Sequence, residues 1–81
     1  MKRNDLLRIL TKLGKEKKNI PISNFYIEDR GERNNIESLT IDDKDVGLSV
    51  KNNVWFYPLV ELTQKELQAL YDKLNVETIL F

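Results

Sequence analysis

The side chains with the greatest potential for chemistry in this chain are carboxylates. Asp42, Asp43 and Asp45 followed by Gly47 have the composition of a calcium-binding loop. Their spacing does not fit one: with Asp43 in the first position the glycine falls one place early, and Val54 occupies the place of the bidentate acid. An acidic hairpin turn accounts for the same residues, so no metal site is expected. Glu28, Asp29, Glu32 and Glu37 supply enough carboxylates for a general acid and base, but nothing in their spacing sets two of them across a cleft. The chain has no histidine and no cysteine, which removes the commonest general base, the commonest metal ligand and any thiolate or disulfide. Gly14, Gly31 and Gly47 are isolated and form no phosphate-cradling loop. The expectation is a non-enzyme without a cofactor.

Charge is the next resource. Thirteen Lys and Arg balance thirteen Asp and Glu over 81 residues, yet the distribution is polar along the chain. Residues 1–18 carry seven basic side chains against two acids. Lys2, Arg3, Arg8, Lys12, Lys15, Lys17 and Lys18 therefore form a candidate nucleic-acid contact, because phosphate binding needs little more than such charge. A neutral total and no aromatic pattern suited to stacking bases make this the alternative reading. On the other reading the lysines are a solvated face that complements the negative end of a helix dipole.

The elements that must position these residues follow from periodicity. Leu6, Ile9, Leu10 and Leu13 recur on one helical face after Asn4 or Asp5 as a cap, with Gly14 placed to end the helix unless Lys15 to Lys18 prolong it. Pro21 imposes an extended entry to a strand from Ile22 to Glu28, with Phe25 and Ile27 on one side and Asn24 and Tyr26 on the other. Asp29 to Asn35 reads as a flexible hairpin loop, Ile36 to Ile41 as a second strand, and Val46 to Val50 as a third after the turn at Asp42 to Asp45. Asn52–Asn53 suits a left-handed turn into a fourth strand, Val54 to Pro58. Thr63 and Glu66 have the spacing of a capping box, with Leu62 and Leu67 as a staple, and Leu67, Leu70, Tyr71 and Leu74 form an apolar stripe ending near Asn75.

The turns predict pairings of Ile41 with Val46, Leu39 with Leu48, Leu48 with Tyr57 and Val50 with Trp55. They gather Leu39, Ile41, Val46, Leu48, Val50, Trp55, Tyr57 and Leu59 on one face. The expected fold is α+β: a single domain over residues 1–81, a two-layer sandwich in the order αββββα, with both helices on one face of a four-stranded antiparallel meander. The other face would carry Asn24, Glu28, Ser38, Thr40 and Ser49 with four larger apolar residues, Tyr26, Ile36, Val54 and Phe56. The terminal VETILF, residues 76–81, is rich in strand formers and suggests an added strand or association tail.

The stretch PLVELTQKELQALYDKL, residues 58–74, preceded by a short meander and a Leu-rich opening helix, resembles the close of small uncharacterised proteins of gut bacteria. These end in a strand, a PL-x-x-L-[ST] cap and an EL-x-x-[LI]-Y-x-x-L helix. The resemblance implies a bacterial source and the fold, and carries no activity with it. A chain this short buries only about 60–65% of the surface its unfolded form exposes, so association is a natural route to further burial. Tyr26, Ile36, Val54, Phe56, Ile79 and Phe81 are the candidate interface of a homodimer, or of another protein partner. The longest apolar run, Val54 to Val60, is too short to cross a membrane, and Lys2 and Arg3 lead into polar residues rather than a signal sequence. A cytoplasmic protein-interaction module is the expectation.

Overall fold

The computed structural model describes residues 1–53 and 55–79, the side chains of Asn53 and of residues 76–79 excepted. Helix α1 (Arg3–Lys17) is followed by strands β1 (Asn19–Pro21), β2 (Tyr26–Asp29), β3 (Glu32–Asp42), β4 (Asp45–Val50) and β5 (Phe56–Pro58), then by helix α2 (Gln64–Ile79). The class is the expected α+β, but the sheet has five strands rather than four. In place of one strand from Ile22 to Glu28 there are two, β1 and β2, laid end to end along the same edge of β3. They part at Ser23 and Asn24, where Asn24 adopts φ 56°. Main-chain bonds flank the break, from Ile22 N–H to Glu37 O and from Ile36 N–H to Phe25 O, each 2.9 Å.

Asp29 to Asn35 is no loose loop. Arg30 and Gly31, at φ 53° and 80°, make a two-residue turn of the left-handed kind that matches strand twist. The strands pair right up to it, Asp29 opposite Glu32. At the next turn Asp42 pairs with Asp45, so β3 and β4 run one residue pair beyond the expected ladder. Ile41–Val46, Leu39–Leu48 and Leu48–Tyr57 are opposed as the turns predicted. Leu39, Val46, Leu48, Val50 and Leu59 are buried on the helix side as expected, and Ile41 and Tyr57 pack against them partly buried.

Two residues depart from that pattern. Between Ile36 and Ser38 the register shifts by one, a β-bulge that places an extra residue, Glu37, in β3. Because side chains alternate along a strand, one extra residue reverses the phase of everything before it. Ile36, expected on the outer face, is thereby opposite Val50 and buried at 4% exposure. Trp55, expected in the core, is 61% exposed. Its register is the expected one, Val50 N–H donating to Trp55 O at 2.9 Å. It precedes a strand that, among the described residues, pairs only with β4, at the border of the sheet.

Helix boundaries also differ. Neither Asn4 nor Asp5 caps α1; Lys2 stands at that position without a side-chain cap. Here tertiary anchors hold the first turn: Arg3 Nη2 donates to the carbonyls of Val60 and Leu62, and the Met1 ammonium donates to Gln68 Oε1 at 3.0 Å. Gly14 lies inside the helix and is buried, while Lys18, at φ 66°, ends it. A Cβ at Gly14 would collide with Val46 Cγ1, so the glycine serves close approach of α1 to β4 rather than termination. The capping box of α2 is present, Glu66 N–H donating to Thr63 Oγ1 at 3.2 Å and Thr63 N–H to Glu66 Oε1 at 2.9 Å. Past Asn75 the helix continues through residues 76–79, where the sequence suggested an added strand. Extending an existing helix adds a hydrogen bond per residue with no new nucleus, and this outweighs a modest strand preference. Leu80 and Phe81 lie outside the described residues.

The two helices lie side by side and run the same way: Met1 contacts Gln64 and Gln68, while Ile9, Leu13 and Glu16 share a groove with Tyr71, Leu74 and Asn75. Leu6, Leu10, Leu67, Leu70 and Leu74 join the buried strand residues in one core.

Replacing Gly14 by Ala removes a helix penalty of about 1 kcal/mol but overpacks the α1–β4 contact, at about 1–3 kcal/mol. A net loss of stability in urea denaturation is expected, partly recovered when Val46→Ala is added. A simple gain for Gly14→Ala would show that the helix and sheet do not meet here.

Candidate interaction site

The β2–β3 hairpin brings together side chains from separate parts of the sequence. Ile27 points inward and is buried, so Tyr26 and Glu28 face outward. The two-residue turn sets Glu28 opposite Arg33 and Tyr26 opposite Asn35. Arg33 leans diagonally across, its Cζ 4.1 Å from the centroid of the Tyr26 ring, close enough for a cation–π contact. Tyr26 is 44% exposed. A hollow of about 620 Å³ lies beside this pair, bounded by Asn24, Asn35, Glu37 and Lys51. A second, of about 440 Å³, runs between β2 and α2, where Lys65 and Ala69 face Phe25, Tyr26 and Glu28.

The same hairpin is tied to the far side of the sheet. Asn34 Nδ2 donates to Tyr57 Oη at 3.0 Å, and Tyr57 Oη donates to Asp29 Oδ2 over a long 3.5 Å. Asn34 precedes the bulge and Tyr57 lies two strands away on β5, so the hairpin must curl over the helix-side face for them to meet. Burial pushes the Tyr57 hydroxyl above the ordinary phenol value, the negative charge of Asp29 and its hydrogen bond push further, and Glu66 adds a little; the bond from Asn34 opposes them.

The residues singled out by the sequence separate into different roles. Of the candidate interface, Tyr26 is exposed, Ile36 belongs to the core, and Phe56 is half-buried on the outer face. The Phe56 ring fills the space a side chain at Gly47 would need, its Cζ 2.7 Å from where a Cβ would lie. Val54 and Phe81 lie outside the described residues, as does the side chain of Ile79, the last residue of α2.

Among the basic residues, Arg3 is occupied by the Val60 and Leu62 carbonyls, and Arg8 pairs with Asp5 at 3.6 Å. Lys12 and Lys15 continue from Arg8 along the exposed side of α1, with Lys17 and Lys18 exposed at its end and Lys2 before its start. Asp42, Asp43 and Asp45 form the β3–β4 turn, and among the described residues no three acidic side chains converge as a metal site. Glu28 and Asp29 are on β2, Glu32 begins β3 and Glu37 is the exposed bulge residue.

No protein-family model, curated protein or solved structure matches this chain. Function must therefore be argued from the geometry. Arg33 and the outward pairing of Tyr26 with it escaped the sequence reading; the Arg–Gly dipeptide at 30–31, taken as a tight turn, would have revealed them.

Tyr57 has a folded-state pKa raised above its unfolded value, so its protonated form contributes stability at neutral pH that is lost as pH rises above about 10 through the folded value. Tyr57→Phe should flatten that alkaline loss in thermal melts taken upward from about pH 10. An unchanged slope would mean that burial and Asp29 together do not raise the hydroxyl's titration in the folded chain.

Proposed function

We propose that this chain is a non-catalytic protein-interaction module that self-associates. The observation that carries the reading is Tyr26, an exposed aromatic ring held by Arg33 on an outward-facing strand beside two hollows. Arg and Tyr are enriched where interfaces concentrate their binding energy, and here a guanidinium lies over an exposed ring, so both are offered at one place. Trp55 and Val60, 61% and 68% exposed, add apolar surface elsewhere on the molecule. A small chain of limited core gains most from such burial, and two-fold homodimers are its commonest form.

A second reading, a nucleic-acid accessory protein, draws on Arg8, Lys12 and Lys15, which form a row one helical face long and exposed to solvent. Salt-sensitive retention on heparin or DNA, abolished by Lys12→Glu with Lys15→Glu, is what that reading requires.

Sedimentation across a wide concentration range should show a monomer–dimer equilibrium for the native chain. Tyr26→Asp should shift it to monomer with the melting temperature little changed, since exposed substitutions usually cost within about 0.5 kcal/mol. A native chain that stays monomeric throughout would refute self-association.

A further inference from the structure

Three strands border the sheet, and they differ at their free edges. Ile22 donates its N–H to Glu37 O, so the preceding outward residue, Pro21, turns its nitrogen away from β3. Val50 donates to Trp55 O, so Trp55 and Tyr57 face β4, and Pro58 turns its nitrogen outward from β5. These are the two prolines of the chain, and each removes one of the two outward donors of a three-residue strand, leaving only Asn19 on β1 and Phe56 on β5 for an added strand. On β2 the phase is fixed by Ile36 donating to Phe25 O: residues 25, 27 and 29 face β3, while Tyr26 and Glu28 turn both N–H and C=O outward. No proline blocks this edge, and among the described residues no strand pairs with it.

We infer that β2 of a second copy adds to this edge, antiparallel about a two-fold axis near Ile27, so that one sheet continues across the dimer. The inference rests on the self-association proposed above and supplies its geometry. Charge selects the register. With Tyr26 opposite Glu28 of the partner subunit, each carboxylate lies beside a ring whose face carries the Arg33 guanidinium. Slipping one way sets Glu28 against its own copy, and slipping the other brings the two Tyr26–Arg33 pairs together; like charges opposed across strands are destabilising. The symmetric pairing satisfies the outward N–H and C=O of Tyr26 and Glu28 in both copies. Beside this edge a groove of about 440 Å³ separates β2 from α2, whose wall there presents the short side chain of Ala69.

The decisive variant uses the device already present on the other two edges. Glu28→Pro removes an outward N–H without touching the β2–β3 ladder. It should leave circular dichroism and melting close to native while raising the dimer dissociation constant more than about tenfold in sedimentation. Independently of folding in that variant, hydrogen exchange on the native chain should show the Tyr26 and Glu28 amides slowing as concentration is raised through the dimer transition. A folded Glu28→Pro that dimerises as the native chain does, or a native dimer in which these two amides still exchange freely, would overturn the strand pairing while self-association stands. A native chain that is monomeric at every concentration would remove both.

Discussion

At Glu37 strand β3 holds one residue more than its neighbour β4, and the two-layer arrangement depends on that insertion. On the turn side of the bulge, Leu39 faces the helices opposite Leu48. On the other side strict alternation would turn Ile36, Asn34 and, through pairing, Ile27 toward solvent. The extra residue restores all three to the helix side, and the bend that accompanies a bulge carries the β2–β3 hairpin over that face. Ile27 and Ile36 then join the core, and Asn34 reaches Tyr57 across two strands. Through β2 the sheet reaches the flank of α2, where β2 and the first turns of that helix share a groove.

The sequence declared much of this architecture, for identifiable reasons. The capping box at Thr63 and Glu66 and the leucine stripe behind it are local patterns that one short segment specifies by itself, and both are realised. The registers of β3, β4 and β5 were legible because two independent turns agreed on one apolar face. The bulge was not, since nothing in Ile36–Glu37–Ser38 distinguishes an inserted residue from ordinary alternation; the misplacement of Ile36 follows from that alone. Gly14 misled for a different reason. A glycine near a helix end serves termination or close packing, and only the presence of Val46 across the layer decides between them. Trp55 shows the limit of register as a guide to burial: it pairs with Val50 as expected, yet its side chain is 61% exposed.

The candidate site was legible in one residue, Tyr26, and obscured in its partner. Reading residues 29–35 as a loop hid the Glu28–Arg33 pairing, because composition there is uniformly polar while the backbone is tightly specified by Arg30–Gly31. The backbone carries a cost at such points. Lys18, Asn24, Arg30, Asp43 and Asn52 all hold positive φ without being glycine. Asn and Asp tolerate this conformation well, Lys and Arg less so. These strained points sit at the ends of elements and at the β1–β2 break, where the chain must turn, and the regular segments between them bear the core.

The most direct measurement of this account is the stability of Ile36→Ala by chemical denaturation. Strict alternation along β3 places that side chain on the solvent side, whereas the bulge buries it against Val50. Truncating a buried isoleucine should cost about 2–5 kcal/mol. A change within about 0.5 kcal/mol, the ordinary range for an exposed site, would show that β3 does not change phase at Glu37 and that the core is assembled differently.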